Sequence, residues 1–165
     1  DFLPVLKDLL DKKQVNLSGC PRTREIIAAD PATEDDWGTE YLDYMLSIKV
    51  VGDVDEAINH INHFGSGHTD SIITSSKDNA ARFMALVDSG NVFWNCSTRF
   101  SDGFRYGFGA EVGISTNKIH ARGPVGLEGL VIYKYKLIGN GHIVAEYSNR
   151  EKTFKHKKLD KEFPL

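Results

Sequence analysis

The residues best suited to chemistry lie together at 95–99, where the chain reads Asn95-Cys96-Ser97-Thr98-Arg99. Arg99 is the strongest polar candidate, because a guanidinium recognises carboxylate or phosphate oxygens through two parallel hydrogen bonds. Asn95, Ser97 and Thr98 carry amide and hydroxyl groups able to add hydrogen bonds to the same anion. The competing use of Arg99 is an ion pair with Asp102 or Glu111 that fixes the loop itself. Cys96 invites a nucleophilic reading, which needs a lowered thiol pKa and an accessible sulfur. No histidine partner is identifiable for it from sequence, and a buried free cysteine is the commoner case. His68-Thr69-Asp70 offers a general base with an orienting carboxylate. His60, His63, His142 and His156 have no comparable setting, and no His/Cys/Asp spacing suggests a metal.

These candidates open a stretch, 95–130, that holds seven of the 15 glycines of the chain. Arg99, Asp102, Arg105, Glu111, His120 and Arg122 are threaded between them. Glycine serves where φ is positive or backbones approach closely. Charged groups at that density point to a loop that meets a polar ligand or another domain, or to a long surface connection. Gly107-Phe108-Gly109 is not a dinucleotide fingerprint, because Gly113 falls one residue too late and no strand directly precedes it.

The elements that must position this loop can be read from periodicity. Phe2–Leu10 has helical spacing of its apolar residues, Val15 and Leu17 lead a short strand into Gly19-Cys20-Pro21, and 22–29 predicts a second short helix stopped by Asp30-Pro31. Tyr44–Val51 reads as a strand. Asp53 and Glu56 form a capping box before a helix whose inner face is Val54, Ala57, Ile58 and Ile61. A strand over 70–74, a helix over 79–88 and a strand over 92–94 follow. Strand and helix in alternation predict an α/β fold with a mostly parallel sheet. Ligands gather at the C-terminal ends of such strands, which is where Asn95–Arg99 would lie. Val131–Ile138 and His142–Tyr147 read as a hairpin across Gly139-Asn140-Gly141, packed on its own domain or serving as a partner-binding arm.

Composition removes other classes. At 165 residues the chain is sized for one domain with a real core, and 41% hydrophobic with 26% charged residues is a globular balance. No apolar run reaches the roughly 20 residues of a membrane helix, and a net charge of −3 gives no footprint for nucleic acid. Two cysteines, Cys20 and Cys96, make no disulfide framework and suit a reducing compartment. A start at Asp1 without an initiator methionine reads as a cut from something longer.

The sequence STRFSDGFRYGFGAEVGISTNKIHARGPVGLEGL resembles the C-terminal signature of gamma-glutamyl phosphate reductases, members of the aldehyde dehydrogenase superfamily that serve proline biosynthesis. The resemblance extends from about Val15 to Tyr147. It implies NADPH-dependent reduction of L-glutamyl 5-phosphate to glutamate 5-semialdehyde, with an enzyme thiolate displacing phosphate before hydride arrives. The acyl-accepting cysteine of that family belongs to a motif upstream of Asp1, and the family usually has alanine where Cys96 stands. The isolated chain is therefore expected to be inactive, and Cys96 a bystander. The loop holding Asn95, Ser97, Thr98 and Arg99 would line the active-site cleft. Glu40, in Glu40-Tyr41-Leu42 before a strand, is similar to a glutamate that holds the nicotinamide ribose. His68 and His120 would make structural hydrogen bonds.

The same resemblance assigns 1–100 to the latter part of a catalytic domain, 101–130 to a return towards the cofactor domain, 131–148 to an oligomerisation hairpin and 149–165 to a tail. The partners implied are the rest of the reductase polypeptide and further copies of it. The tail is similar to that of bifunctional eukaryotic pyrroline-carboxylate synthases, which implies a mitochondrial parent, with a cytoplasmic one as the alternative. A non-catalytic binding or oligomerisation module built on the same fold is the other functional reading.

Overall fold

The computed structural model describes residues 2–118, 122–158 and 160. The chain divides into two units, Asp1–Val131 and Ile132–Leu165. In the first unit, α1 (Phe2–Asp11) precedes β1 (Asn16–Gly19), α2 (Pro21–Arg24) and β2 (Asp30–Pro31). A 3-10 turn at Asp35–Trp37 leads to β3 (Met45–Ile48) and α3 (Val54–Phe64). Then come β4 (Thr69–Ile72), α4 (Lys77–Leu86) and β5 (Asn91–Trp94), with further 3-10 turns at Thr98–Phe100 and Leu127–Leu130.

Among the described residues the pairings between β1–β5 are all parallel, as the alternation of elements predicts, but these strands form two sheets. One has the order β2-β1-β3 and the other pairs β4 with β5. In the first sheet Leu17 faces Leu46 and Gly19 faces Ile48; in the second Thr69 faces Asn91 and Ile72 faces Trp94. Helices cover the second sheet: Ile58 of α3 meets Phe83 and Val87 of the α4 segment, with Val54, Ile61, Ile72 and Val92 packed around them. The helical spacing of Val54, Ile58 and Ile61 thus faces the core.

Local chemistry sets the element boundaries. Asp53 caps α3 by accepting the Glu56 amide at 2.8 Å, and the Glu56 carboxylate reaches back one residue further than a standard box, to the Gly52 amide at 2.7 Å. α4 starts at Lys77, two residues before the sequence pattern suggested, because the Ser76 hydroxyl accepts the Asn79 amide at 3.2 Å. The helix expected over 22–29 is instead one turn beginning at Pro21. Thr23 in that turn is fully buried, donates its hydroxyl to the Ile48 carbonyl at 2.9 Å and touches the Cys20 sulfur at 3.3 Å. Gly19 permits this, since a Cβ there would lie 2.8 Å from the Thr23 methyl. Asp30–Pro31 does more than stop that turn: it is the edge strand β2, where a proline lacking its N–H is tolerated.

The second unit corrects the hairpin expected over 131–147. Among the described residues no strand forms there; the backbone is irregular to Ile143 and then turns into the short helix α5 (Val144–Ser148). The physical reason is that a two-stranded ribbon is marginal without a surface to lie on. Here the apolar side chains have none: Ile132 is 97% and Leu137 90% exposed. Tyr147 stacks on Phe154 with centroids 4.6 Å apart, and Lys152 pairs with Glu146 at 2.7 Å.

Candidate functional site

Asn91–Trp94 delivers the chain to Asn95 at the C-terminal end of the second sheet, and the loop is fastened there before it can present anything. Asn95 has a φ of +55°, a left-handed conformation that asparagine adopts more readily than most residues. Its side-chain amide bonds the Thr74 backbone twice: the Thr74 N–H donates to Oδ1 at 2.8 Å, and Nδ2 donates to the Thr74 carbonyl at 2.9 Å. The Trp94 indole N–H reaches the same carbonyl at 2.9 Å, and the Ser71 hydroxyl donates to the Cys96 carbonyl at 2.8 Å. The exits of β4 and β5 are therefore clipped together. Asn95 acts here as the clip, with both ends of its amide engaged.

Ser97 starts the Thr98–Phe100 turn by accepting the Arg99 amide on its hydroxyl at 3.2 Å, so its oxygen is also engaged. The Thr98 hydroxyl and the Arg99 guanidinium make no hydrogen bond or ion pair among the described residues, and both residues are exposed. The ion pair of Arg99 with Asp102 or Glu111 that the sequence allowed is not made. Asp102 instead accepts the Phe104 and Arg105 amides at 2.9 and 3.1 Å, closing the next turn. What the loop offers solvent is thus one cationic, planar, unpaired guanidinium and a hydroxyl beside it. That combination suits an anion with carboxylate or phosphate geometry.

The alternative nucleophile and base readings find no support in the geometry. Cys96 is half-buried, and its sulfur makes no hydrogen bond among the described residues. Cys20 is buried, and the hydrogen bonds from Thr23 and the Val50 amide lower its thiol pKa despite the opposing effect of burial. His68 bonds its neighbour Thr69 through Nδ1 at 2.9 Å, while the Asp70 carboxylate takes the Ser89 hydroxyl; the two do not form a dyad. His120 lies outside the described residues. No group of three or more His, Cys, Asp or Glu residues could hold a metal ion among the described residues.

The glycine-rich stretch folds back to the opposite end of the second sheet. The Val112 amide donates to the Val125 carbonyl at 2.7 Å and the Val125 amide to the Gly113 carbonyl at 2.9 Å, an antiparallel bridge between Gly113 and Val125. The Ser115 amide donates to the Arg122 carbonyl at 2.7 Å. Arg122 then donates to the carbonyls of Gly67 and Asp88, at 2.7 and 3.0 Å, near the N-terminal ends of β4 and β5. Tyr106 donates its hydroxyl to buried Asn91 at 2.7 Å. Gly103 is required by close approach, since a Cβ there would sit 2.3 Å from the Ala110 carbonyl oxygen. Arg122 and several of the glycines are thus structural.

Glu40 lies in the approach to β3 of the first sheet and makes no hydrogen bond or ion pair with the 95–99 loop. It is exposed, and its carboxylate accepts no hydrogen bond among the described residues. Its neighbours Thr39 and Tyr41 line a cleft of about 530 Å³ that periodicity offered no means of finding. In it the Tyr41 hydroxyl donates to Asp36 and sits 2.7 Å from the Ser47 hydroxyl. The Tyr41 hydrogen bond holds the Asp36 carboxyl below the usual carboxylate range. Lys49 approaches His60 at 3.2 Å, and burial together with that neighbouring charge lowers the imidazole pKa. Ser47, on β3, and Lys49, just past it, are two residues apart, and the bend at residues 42–44, with Leu42 at a φ of +53°, brings the Tyr41 hydroxyl to Ser47. A bend of this kind leaves no periodic signal in the sequence.

Comparison with known proteins places this arrangement. Residues 37–113 match the model of the aldehyde dehydrogenase family. The chain is 75% identical over 163 residues to gamma-glutamyl phosphate reductase of Acetivibrio thermocellus and 73% identical over 164 residues to that of Pelotomaculum thermopropionicum. Each alignment covers 99% of this chain and 38% of the relative, so the chain spans well under half the length of the curated relatives it matches. The crystal structure of gamma-glutamyl phosphate reductase from Thermotoga maritima superposes with a TM-score of 0.83 at 52% identity, covering 87% of this chain and 35% of that one. In sequence and fold, then, the chain belongs with the gamma-glutamyl phosphate reductases, on an aldehyde-dehydrogenase-type architecture.

Proposed function

We propose that this chain is the C-terminal part of an NADPH-dependent reductase that converts L-glutamyl 5-phosphate to L-glutamate 5-semialdehyde, supplying an anion-binding loop for the substrate. The observation that carries the reading is the unpaired Arg99 guanidinium, exposed on a loop pinned to the C-terminal ends of two parallel strands. An acyl phosphate of glutamate carries both carboxylate and phosphate, the two groups a guanidinium fork recognises in bidentate fashion. Thr98 adds a free hydroxyl to the same subsite. Asn95 and Ser97 contribute by shaping the loop, with backbone and side-chain groups already committed to it.

Glu40 is the cofactor contact in this reading. Its exposed carboxylate, free of hydrogen bonds among the described residues, is able to accept from a pair of ribose hydroxyls. When bound, the nicotinamide cofactor supplies the hydride. The thiolate nucleophile is assigned to the part of the relatives that this chain does not cover, since neither Cys96 nor Cys20 has the setting of one. For localisation the proposal stays a mitochondrial parent, with a cytoplasmic one as the alternative.

The reading is tested by replacing the matching stretch of the Acetivibrio thermocellus reductase with this chain. The chimera is expected to oxidise NADPH in a glutamyl-phosphate-dependent reaction, while the 165-residue chain alone gives none. A folded but inactive chimera, or turnover by the chain alone, would contradict it. A second role is supported by the uncovered apolar run that includes Ile132, Tyr133, Tyr135 and Leu137, each at least 81% exposed. We propose 131–148 as a self-association segment; sedimentation of the chimera should show an oligomer that Ile132→Glu with Leu137→Glu dissociates.

A further inference from the structure

The geometry points to Arg105 as the positioning residue for Arg99, an inference that rests on the reading of Arg99 as the anion-binding group. Arg99 sits in a single 3-10 turn, Thr98–Phe100, on an exposed loop. One such turn has few internal restraints: the Phe100 amide on the Ser97 carbonyl and the Ser101 amide on the Thr98 carbonyl, both at 3.1 Å. Short 3-10 turns with exposed hydrogen bonds open easily. A guanidinium on such a turn samples many positions unless something outside the turn holds its backbone.

That outside support is Arg105, whose Nη1 donates to the Arg99 carbonyl. A hydrogen bond from a charged donor is among the stronger ones available to an exposed carbonyl. Arg105 is in turn well founded. Its own amide is held by the Asp102 carboxylate at 3.1 Å, and the Tyr106 amide donates to the Asp102 carbonyl at 3.0 Å. Tyr106 anchors this turn through its hydroxyl on Asn91, whose side-chain amide donates to the His68 carbonyl at 3.2 Å. A continuous run of hydrogen bonds therefore joins the start of β5 to the carbonyl of Arg99. The far side of the Arg99 loop is fixed separately by Asn95 on Thr74.

The division of labour follows from the pairing pattern. Arg99 has its backbone engaged and its guanidinium free, whereas Arg105 has its guanidinium engaged on the backbone of Arg99. Two arginines on one loop thus have different tasks, one facing the ligand and one holding the first in place. Holding the loop before the ligand arrives removes the ordering cost from binding.

The test uses the 15N-labelled chain in wild-type, Arg105→Ala, Arg105→Lys and Arg99→Ala forms. Amide hydrogen exchange at Phe100 and Ser101 is measured together with calorimetric titration of the phosphonate analogue of glutamyl phosphate. In Arg105→Ala, exchange at those amides should rise about tenfold and affinity should fall about tenfold, for the loss of one charge-assisted hydrogen bond. Arg105→Lys, which keeps a charged donor, should restore most of both. Arg99→Ala should abolish binding while leaving exchange unchanged. Unchanged exchange in Arg105→Ala overturns the proposal, and if affinity falls at the same time Arg105 is a direct ligand contact. Faster exchange in Arg105→Ala, with wild-type binding by Arg99→Ala or no binding by any form, upholds the positioning role and removes the anion-binding reading of Arg99.

Discussion

Phe83→Ala should destabilise the chain by about 3–5 kcal/mol, the largest stability effect expected of any single truncation in it. Phe83 is 3% exposed, and it is the contact between α3 and α4 that shields the β4–β5 pair. Removing the ring leaves a void bounded by Ile58, Val87, Val54, Ile61, Ile72 and Val92. The second sheet has two strands, so it has no further layer with which to collapse onto that void. Urea unfolding monitored by circular dichroism gives the comparison. A midpoint shift equivalent to less than about 1 kcal/mol would mean that these helices are not the core of the unit. Phe83→Leu, which keeps most of the volume, should recover much of the loss.

The second large effect is functional. Arg99→Ala in the chimeric reductase should lower kcat/KM for glutamyl phosphate by roughly 10- to 150-fold, the range of about 1.5–3 kcal/mol for a hydrogen bond to a charged partner. Arg99→Lys should regain only part of this, because an ammonium keeps the charge but not the planar fork. Arg99 is exposed and takes no part in the core cluster, so a folding defect is an unsuitable explanation for such a loss. Steady-state kinetics at saturating cofactor measure it, and an unchanged kcat/KM would remove Arg99 from the substrate subsite.

Much of the fold was legible because the core is built from short-range patterns. The spacing of Val54, Ile58 and Ile61, the Asp53–Glu56 cap and the run before Gly52 each determine one element, and all appear where periodicity places them. Two elements escaped for reasons of tertiary context. Asp30–Pro31 is a strand only because β1 offers it an edge, and residues 131–147 alternate as strands do yet form none, because strand alternation needs a covering surface to act on. Within the site, the type of Arg99 could be read from sequence, and its freedom could not. Sequence alone allowed Asp102 to pair with Arg99, and the structure commits that carboxylate to the amides of Phe104 and Arg105. The Asp102-x-x-Arg105 spacing was the available signal for that turn. The long-range partners, Asn95 with Thr74 and Tyr106 with Asn91, lie 21 and 15 residues apart and leave no local trace.

Whether Arg99 is a preformed anion contact is addressed most directly by isothermal titration of the chain with the phosphonate analogue of glutamyl phosphate. Saturable binding by the wild-type chain that Arg99→Ala abolishes, with the circular dichroism of the variant unchanged, is the predicted result. Equal binding by wild type and Arg99→Ala, or none by the wild-type chain, would contradict it.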